Sequence, residues 1–128
     1  MAGQATDINA LTEKIIGCAI KVHRALGPGL LERAYEICLA HELQKAGLKI
    51  ERQLALPVVY ESIRLDAGYQ LDIVVEDEVI LELKAVEQLQ PIHEAQFLTY
   101  LRLKHRKVGL LINFNVTLLK NGIKRIVN

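Results

Sequence analysis

The apolar positions of this chain change period along its length, and the changes divide it into elements. Ile8, Leu11, Ile15, Ala19, Val22 and Leu26 recur at three- or four-residue steps, the period of a helix with one apolar face. Thr6 and Asp7 precede them, and either side chain can cap a helix by accepting a hydrogen bond from a free backbone N–H. Gly27-Pro28-Gly29 ends this first helix, and a second is predicted from Leu30 to Ala46, with Gly47 stopping it in a left-handed conformation. The period then shortens. Residues 49–60, 68–75 and 79–86, rich in Val, Ile, Leu and Tyr, predict strands joined by short polar turns. Pro91 suits the first turn of a third helix reaching His105. Val108–Phe114 and Ile123–Val127 predict further strands, with Asn121-Gly122 between them as a hairpin-type turn.

Two helices, a run of strands, a crossover helix and more strands predict a single-domain α/β sandwich over residues 1–128, with a mixed β-sheet flanked by helices. The crossover helix is long enough to return the chain for a parallel neighbour, so strands 79–86 and 108–114 are expected at the sheet centre. A chain of 128 residues with 51% apolar residues can bury one core. No stretch approaches the roughly 20 uncharged apolar residues of a membrane span. The first ten residues lack the basic and apolar regions of a secretory leader. A cytoplasmic protein is expected. Cys18 and Cys38 fall within helical patterns without C-x-x-C spacing and read as packed thiols in a reducing compartment.

Charge changes the picture only locally. The net charge is +1, yet residues 84–128 hold eight Lys and Arg against Glu87 and Glu94, a balance of +6 that leaves −5 elsewhere. A basic C-terminal third can face phosphates, although solvated helix and strand faces give the same count.

The candidate chemistry lies where ions interrupt apolar strands. Val79–Val86 reads as a buried central strand except for Glu82 and Lys84, and Asp72 interrupts Leu71–Val75 in the same way. If Val75 pairs with Val79 across the turn Glu76-Asp77-Glu78, Asp72 stands opposite Glu82 and alternation puts Lys84 on that face. Facing carboxylates repel, and a divalent cation such as Mg²⁺ or Mn²⁺ resolves the conflict. Lys84 can then hold or help deprotonate an attacking water and stabilise charge on a phosphate. A Glu–Lys–Asp ion cluster at the strand ends explains the same pattern without catalysis.

The helices contribute further residues. At about 100° per residue, Glu32 shares the azimuth of Leu39 and Leu43, with Tyr35 beside it, so it points along the apolar stripe and can add a metal ligand. The alternative is a carboxylate tied to free N–H groups at the helix start. On the third helix Gln96 and Tyr100 share a stripe with Ile92 and Leu103. Gln96 can orient a nucleophile or a carboxylate, and the Tyr100 hydroxyl can donate to a phosphate; packing against the sheet is the bland reading of both. His93 flanks the stripe, where a lone histidine is more often structural than catalytic.

With these residues assembled, the chain resembles the GxxExxY proteins, a bacterial and archaeal branch of the PD-(D/E)XK nuclease superfamily, over nearly its full length. The naming motif stands as Gly29-Leu30-Leu31-Glu32-Arg33-Ala34-Tyr35. Gly68-Tyr69-Gln70-Leu71-Asp72 is similar to the element carrying the metal-binding aspartate, and Glu82-Leu83-Lys84 to the E-x-K. Gln96-Phe97-Leu98-Thr99-Tyr100 resembles the Q-x-x-x-Y element of the RecB-like exonuclease branch, and Leu111–Phe114 and Gly122–Ile126 the C-terminal strands. The resemblance implies a restriction-endonuclease-like core. In it Asp72, Glu82 and the Leu83 carbonyl bind the metal, Lys84 serves the water, and Glu32 and Gln96 complete the site. Tyr35, Tyr100, Lys104 and Arg106 are the expected nucleic-acid contacts.

Hydrolysis of DNA assisted by Mg²⁺ or Mn²⁺ is therefore the first expectation. A non-catalytic nucleic-acid-binding or assembly module is the alternative, and a phosphoesterase acting on nucleotides or RNA a third. Metal separates the first two, because a binding module holds nucleic acid equally well in chelator. A homodimer is also expected, since a small domain offers a short groove and duplex DNA has local twofold symmetry.

Overall fold

The computed structural model describes residues 7–128. Helix α1 spans Ile8–Leu26, and the Asp7 carboxylate accepts hydrogen bonds from the Asn9 and Ala10 N–H groups at its start. Thr6, the other expected cap, lies outside the described residues. Helix α2 spans Glu32–Lys45, and Gly47 at φ +85° takes the left-handed conformation that releases the chain from it.

Strand β1 (Ile50–Ala55) opens the sheet, and β2 (Val58–Tyr60) and β3 (Ile63–Leu65) form a separate antiparallel hairpin. The single strand expected over residues 49–60 is thus two. Pro57 separates them, since a proline N has no hydrogen to donate to a ladder. Strands β4 (Gln70–Val75) and β5 (Val79–Lys84) follow, then helix α3 (Pro91–Lys104), β6 (Val108–Asn113) and β7 (Ile123–Val127). The main sheet runs β1-β4-β5-β6-β7, with β5 parallel to β6 and the other neighbours antiparallel.

The turn expected at Asn121-Gly122 is different in kind. A 3-10 turn over Leu119–Gly122 delivers β7. Glycine is required at 122 because an added Cβ would run into the Asn113 carbonyl, so close approach rather than hairpin geometry explains it.

Two apolar cores sandwich the sheet. Leu11, Ile15, Ala19, Tyr35, Leu39 and Leu43 from α1 and α2 pack on Ile73, Val75, Leu81, Leu83 and Ile112. Phe97 and Leu101 from α3 pack on Leu71, Val74, Ile80 and Leu111 across the sheet. Gly109 lets the Phe97 ring lie directly on β6. Gly109→Ala, whose methyl would meet that ring and the Ile80 carbonyl, is expected to cost about 1–3 kcal/mol in urea unfolding. An unchanged midpoint would contradict this packing.

Residues two apart on a strand should share a face, yet Leu71 packs on the α3 side while Ile73 and Val75 pack on the α1/α2 side. The alternation slips at Asp72. On β1 the pairing skips Gln53, between Arg52 opposite Ile73 and Leu54 opposite Leu71, and Gln53 has a left-handed backbone at φ 51°. The sheet is therefore distorted at the position where an acidic side chain enters the apolar run.

Candidate active site

Val75 pairs with Val79 across the expected three-residue turn, and the register continues to Ile73 opposite Leu81. There the ladder stops. The next hydrogen-bonded pair would join Leu71 to Leu83, but the Leu83 N–H donates instead to Asp72 Oδ2 at 2.8 Å. A residue's N–H and C=O point to the same side of a strand, so the Leu83 carbonyl is also directed toward the gap beside Asp72. Glu82 sits in this opening. It is 8% exposed, and its Oε1 is buried without a hydrogen-bond partner.

The two carboxyls are coupled. Burial, and then the Asp72 charge, push Glu82 up to about 8, with Lys84 opposing. Asp72 is also raised, chiefly by burial, while the Leu83 N–H acts against the rise. Of the pair, Glu82 retains the proton, because it lacks the backbone donor that favours ionised Asp72. No ion pair among the described residues claims Lys84.

The start of α2 closes one side. Glu32 Oε2 accepts the Ala85 N–H at 3.3 Å, holding the exit of β5 rather than capping its own helix. Among the described residues, no third His, Cys, Asp or Glu side chain joins Asp72 and Glu82 in a complete metal cage. Glu32, expected as a ligand, is engaged by the Ala85 N–H in this structure, and its charge bears on both carboxyls.

One turn further along α2 is a residue that the sequence reading missed. Glu36 is 7% exposed and accepts from Arg52 Nε and Nη2 at 3.1 and 2.8 Å and from Gln53 Nε2 at 2.6 Å. Gln53 Nε2 also lies 3.5 Å from Asp72 Oδ1. The left-handed backbone at Gln53 thus serves a chain of contacts from Glu36 to Asp72. The available signal was the four-residue spacing of Glu32 and Glu36, which puts both on one helix stripe. Asn113, also missed, exchanges hydrogen bonds with both backbone groups of Val86 at 3.1 and 2.9 Å and braces the exit of β5 against β6.

Helix α3 closes the other side. Its buried positions are Phe97 and Leu101, and the stripe of Gln96, Tyr100 and Leu103 is its flank, lining a hollow with Tyr69, Thr99 and Val58. Burial raises the Tyr100 hydroxyl, followed by the charge of Glu82. His93 is structural: its Nδ1 accepts the Gln90 N–H at the start of α3.

Two expected nucleic-acid contacts, Tyr35 and Arg106, are engaged elsewhere. Tyr35 is fully buried, stacked on Phe114 with centroids 4.4 Å apart, and its hydroxyl donates to the Gly27 carbonyl and accepts the Leu30 N–H. Its place in an apolar stripe marks it as core. Tyr35→Phe should keep the stack and lose both hydrogen bonds, lowering stability by about 1–3 kcal/mol. Nucleic-acid affinity of the folded protein should not change, and a selective loss of binding would overturn this assignment. Arg106 grips Asp77 at 2.7 Å, at the end of β5 opposite Lys84. Lys104, the fourth expected contact, lies in the last turn of α3, one turn beyond Tyr100.

Asp72, Glu82 and the Leu83 carbonyl form a small oxygen-rich opening, with Lys84 beside it. An unpartnered buried carboxylate oxygen next to a second carboxylate fits a hard divalent cation, which takes oxygen ligands and keeps positions for water. No curated protein and no solved structure matches the chain. A family model of the PD-(D/E)XK nuclease superfamily matches residues 9–126, nearly the whole of it. With a mixed five-stranded sheet between two N-terminal helices and a crossover helix, the fold is consistent with the restriction-endonuclease-like core, and the chain belongs to the PD-(D/E)XK nuclease superfamily.

Proposed function

We propose that the protein is a metal-dependent nuclease that hydrolyses phosphodiester bonds in DNA, and that within its superfamily it is one of the GxxExxY proteins. The observation that carries the reading is the buried, partnerless Glu82 Oε1 beside Asp72, with Lys84 two residues on. Asp72, Glu82 and the Leu83 carbonyl would hold Mg²⁺ or Mn²⁺. A bound divalent cation supplies Lewis acidity to the phosphate and acidifies water.

The chain's own groups do the remainder. Lys84 orients the attacking water and offsets negative charge on the phosphate, in a site whose burial strengthens both effects. Glu36, through Gln53, keeps the Asp72 carboxylate turned into the opening, and Glu32 fixes the end of β5. Gln96 and Tyr100 address the substrate from α3. Incubating linear, circular and single-stranded DNA with Mg²⁺, Mn²⁺ or chelator tests the reading. Products are expected with either metal and none in chelator. Binding that is equal in chelator, with no product when metal is restored, would replace the nuclease with a binding module.

A pair of copies belongs to the same proposal. One face of the β2–β3 hairpin exposes Tyr60, Ile63 and Leu65, an apolar patch that a second copy can cover. Light scattering at micromolar concentration should report a dimer, and a monomer with and without DNA removes the idea.

A further inference from the structure

The hollow on the flank of α3 differs in chemistry from the carboxylate opening. It has a volume of about 310 Å³ and is lined by Val58, Tyr69, Gln96, Thr99, Tyr100 and Leu103. Tyr69 and Tyr100 form two of its walls, with ring centroids 6.3 Å apart and planes inclined at 57°. Its floor is firm, because Tyr100 and Leu103 pack against the core beneath α3. Its outer wall is accessible, because Tyr69 is 46% exposed, and its backbone is fixed where the Tyr69 carbonyl accepts the Leu56 N–H at 2.8 Å.

The lining contains no lysine or arginine, so the hollow is not built for a phosphate. Two aromatic faces, two aliphatic side chains and one amide able to donate and accept suit a flat heterocycle with polar edges. The hollow draws on the same elements as the reaction site. Tyr69 enters the strand three residues before Asp72, and Gln96 and Tyr100 belong to the α3 flank that closes the site.

We propose that this hollow is a nucleobase subsite that takes one unpaired base beside the scissile phosphate, so that the substrate is a strand with an unpaired nucleotide rather than continuous duplex. The inference rests on the nuclease reading for its ligand class. Bases within a duplex are stacked on their neighbours and present only their edges in the grooves. An unpaired base can leave the strand and stack on the exposed Tyr69 ring, an interaction tolerant of base identity because every base has a π face. Gln96 on the rim can meet the donors or acceptors of any base edge.

The test is fluorescence anisotropy in chelator, where no metal-dependent cut occurs, with labelled oligonucleotides of mixed sequence. The set comprises a single strand, the same strand with an abasic site at each position in turn, and a blunt duplex. The intact single strand should bind at least tenfold more tightly than the duplex, and one abasic position should weaken binding by about 5- to 150-fold. Tyr69→Ala should bring a similar loss, Tyr69→Phe should bind like wild type, and Tyr69→Ala should make the sensitive abasic position indifferent. The abasic series leaves the protein intact and reads the subsite independently of any effect on folding. Equal affinity for single strand and duplex, or abasic and Tyr69→Ala losses that simply multiply, overturns the subsite. Cleavage under Mg²⁺ or Mn²⁺ without base dependence also defeats the subsite alone. Base-dependent binding with no cleavage under either metal defeats the nuclease reading and leaves the subsite standing.

Discussion

Lys84→Ala should slow cleavage by about 10²–10⁴, the usual scale for one acid–base group, while leaving divalent-cation affinity unchanged or slightly higher. The reason is that Lys84 opposes the proton held on Glu82, so its charge also competes with a cation for the same carboxyl. Glu82→Ala and Asp72→Ala should behave differently, losing both cation binding and all cation-dependent cleavage because each removes a ligand oxygen. Their stabilities should also diverge. Glu82→Ala deletes a buried oxygen that has no partner, so the metal-free protein should melt at or above the wild-type temperature. Asp72→Ala leaves the Leu83 N–H without its acceptor and should cost about 1–3 kcal/mol, which Asp72→Asn largely restores without restoring cleavage. Calorimetric titration, single-turnover cleavage and thermal melts on the same preparations separate these outcomes. If all three alanine variants unfold together, the cluster is a structural ion network and the catalytic reading is withdrawn.

The second large effect is on stability as a function of pH. The folded state holds a proton on Glu82 up to about 8, whereas an unperturbed glutamate releases it near 4.5. Between those values the folded state binds more protons than the unfolded state, so stability must fall as pH rises. Each unit of difference is worth about 1.4 kcal/mol, which makes the loss by pH 8 a few kcal/mol. Asp77 and Glu42 lie below the ordinary carboxylate range, so their opposite contributions belong to more acidic solutions. Urea unfolding in chelator at pH 5, 6.5 and 8 should show the decline, and Glu82→Gln should flatten it. Saturating Mn²⁺ should recover stability at pH 8. Cation binding near neutral pH should release close to one proton, measurable as a dependence of the binding enthalpy on the buffer. A wild-type profile that is level or rising over this window would refute the protonated state of Glu82.

Much of this protein could be read from local spacing. The helix over residues 8–26, the third helix beginning at Pro91 and the parallel pairing of the strands at 79 and 108 all follow from period, caps and connection length. The juxtaposition of Asp72 with Glu82 was legible too, because a turn of three residues sets the register of the two strands it joins. What period cannot report is what lies opposite. It marked Glu32 and Tyr35 as inward-facing, but only the packed molecule seats Tyr35 wholly in the core and turns Glu32 onto the Ala85 N–H. Neither the parting of the strands beyond Ile73 and Leu81 nor the support that Glu36 lends Asp72 through a left-handed Gln53 has a local signature. These contacts join residues far apart in the chain, and their geometry exists only once both helical layers have closed on the sheet. The burial that leaves Glu82 Oε1 without a partner arises in the same step, because low polarity around a carboxylate is a property of the assembled core and not of the strand that carries it.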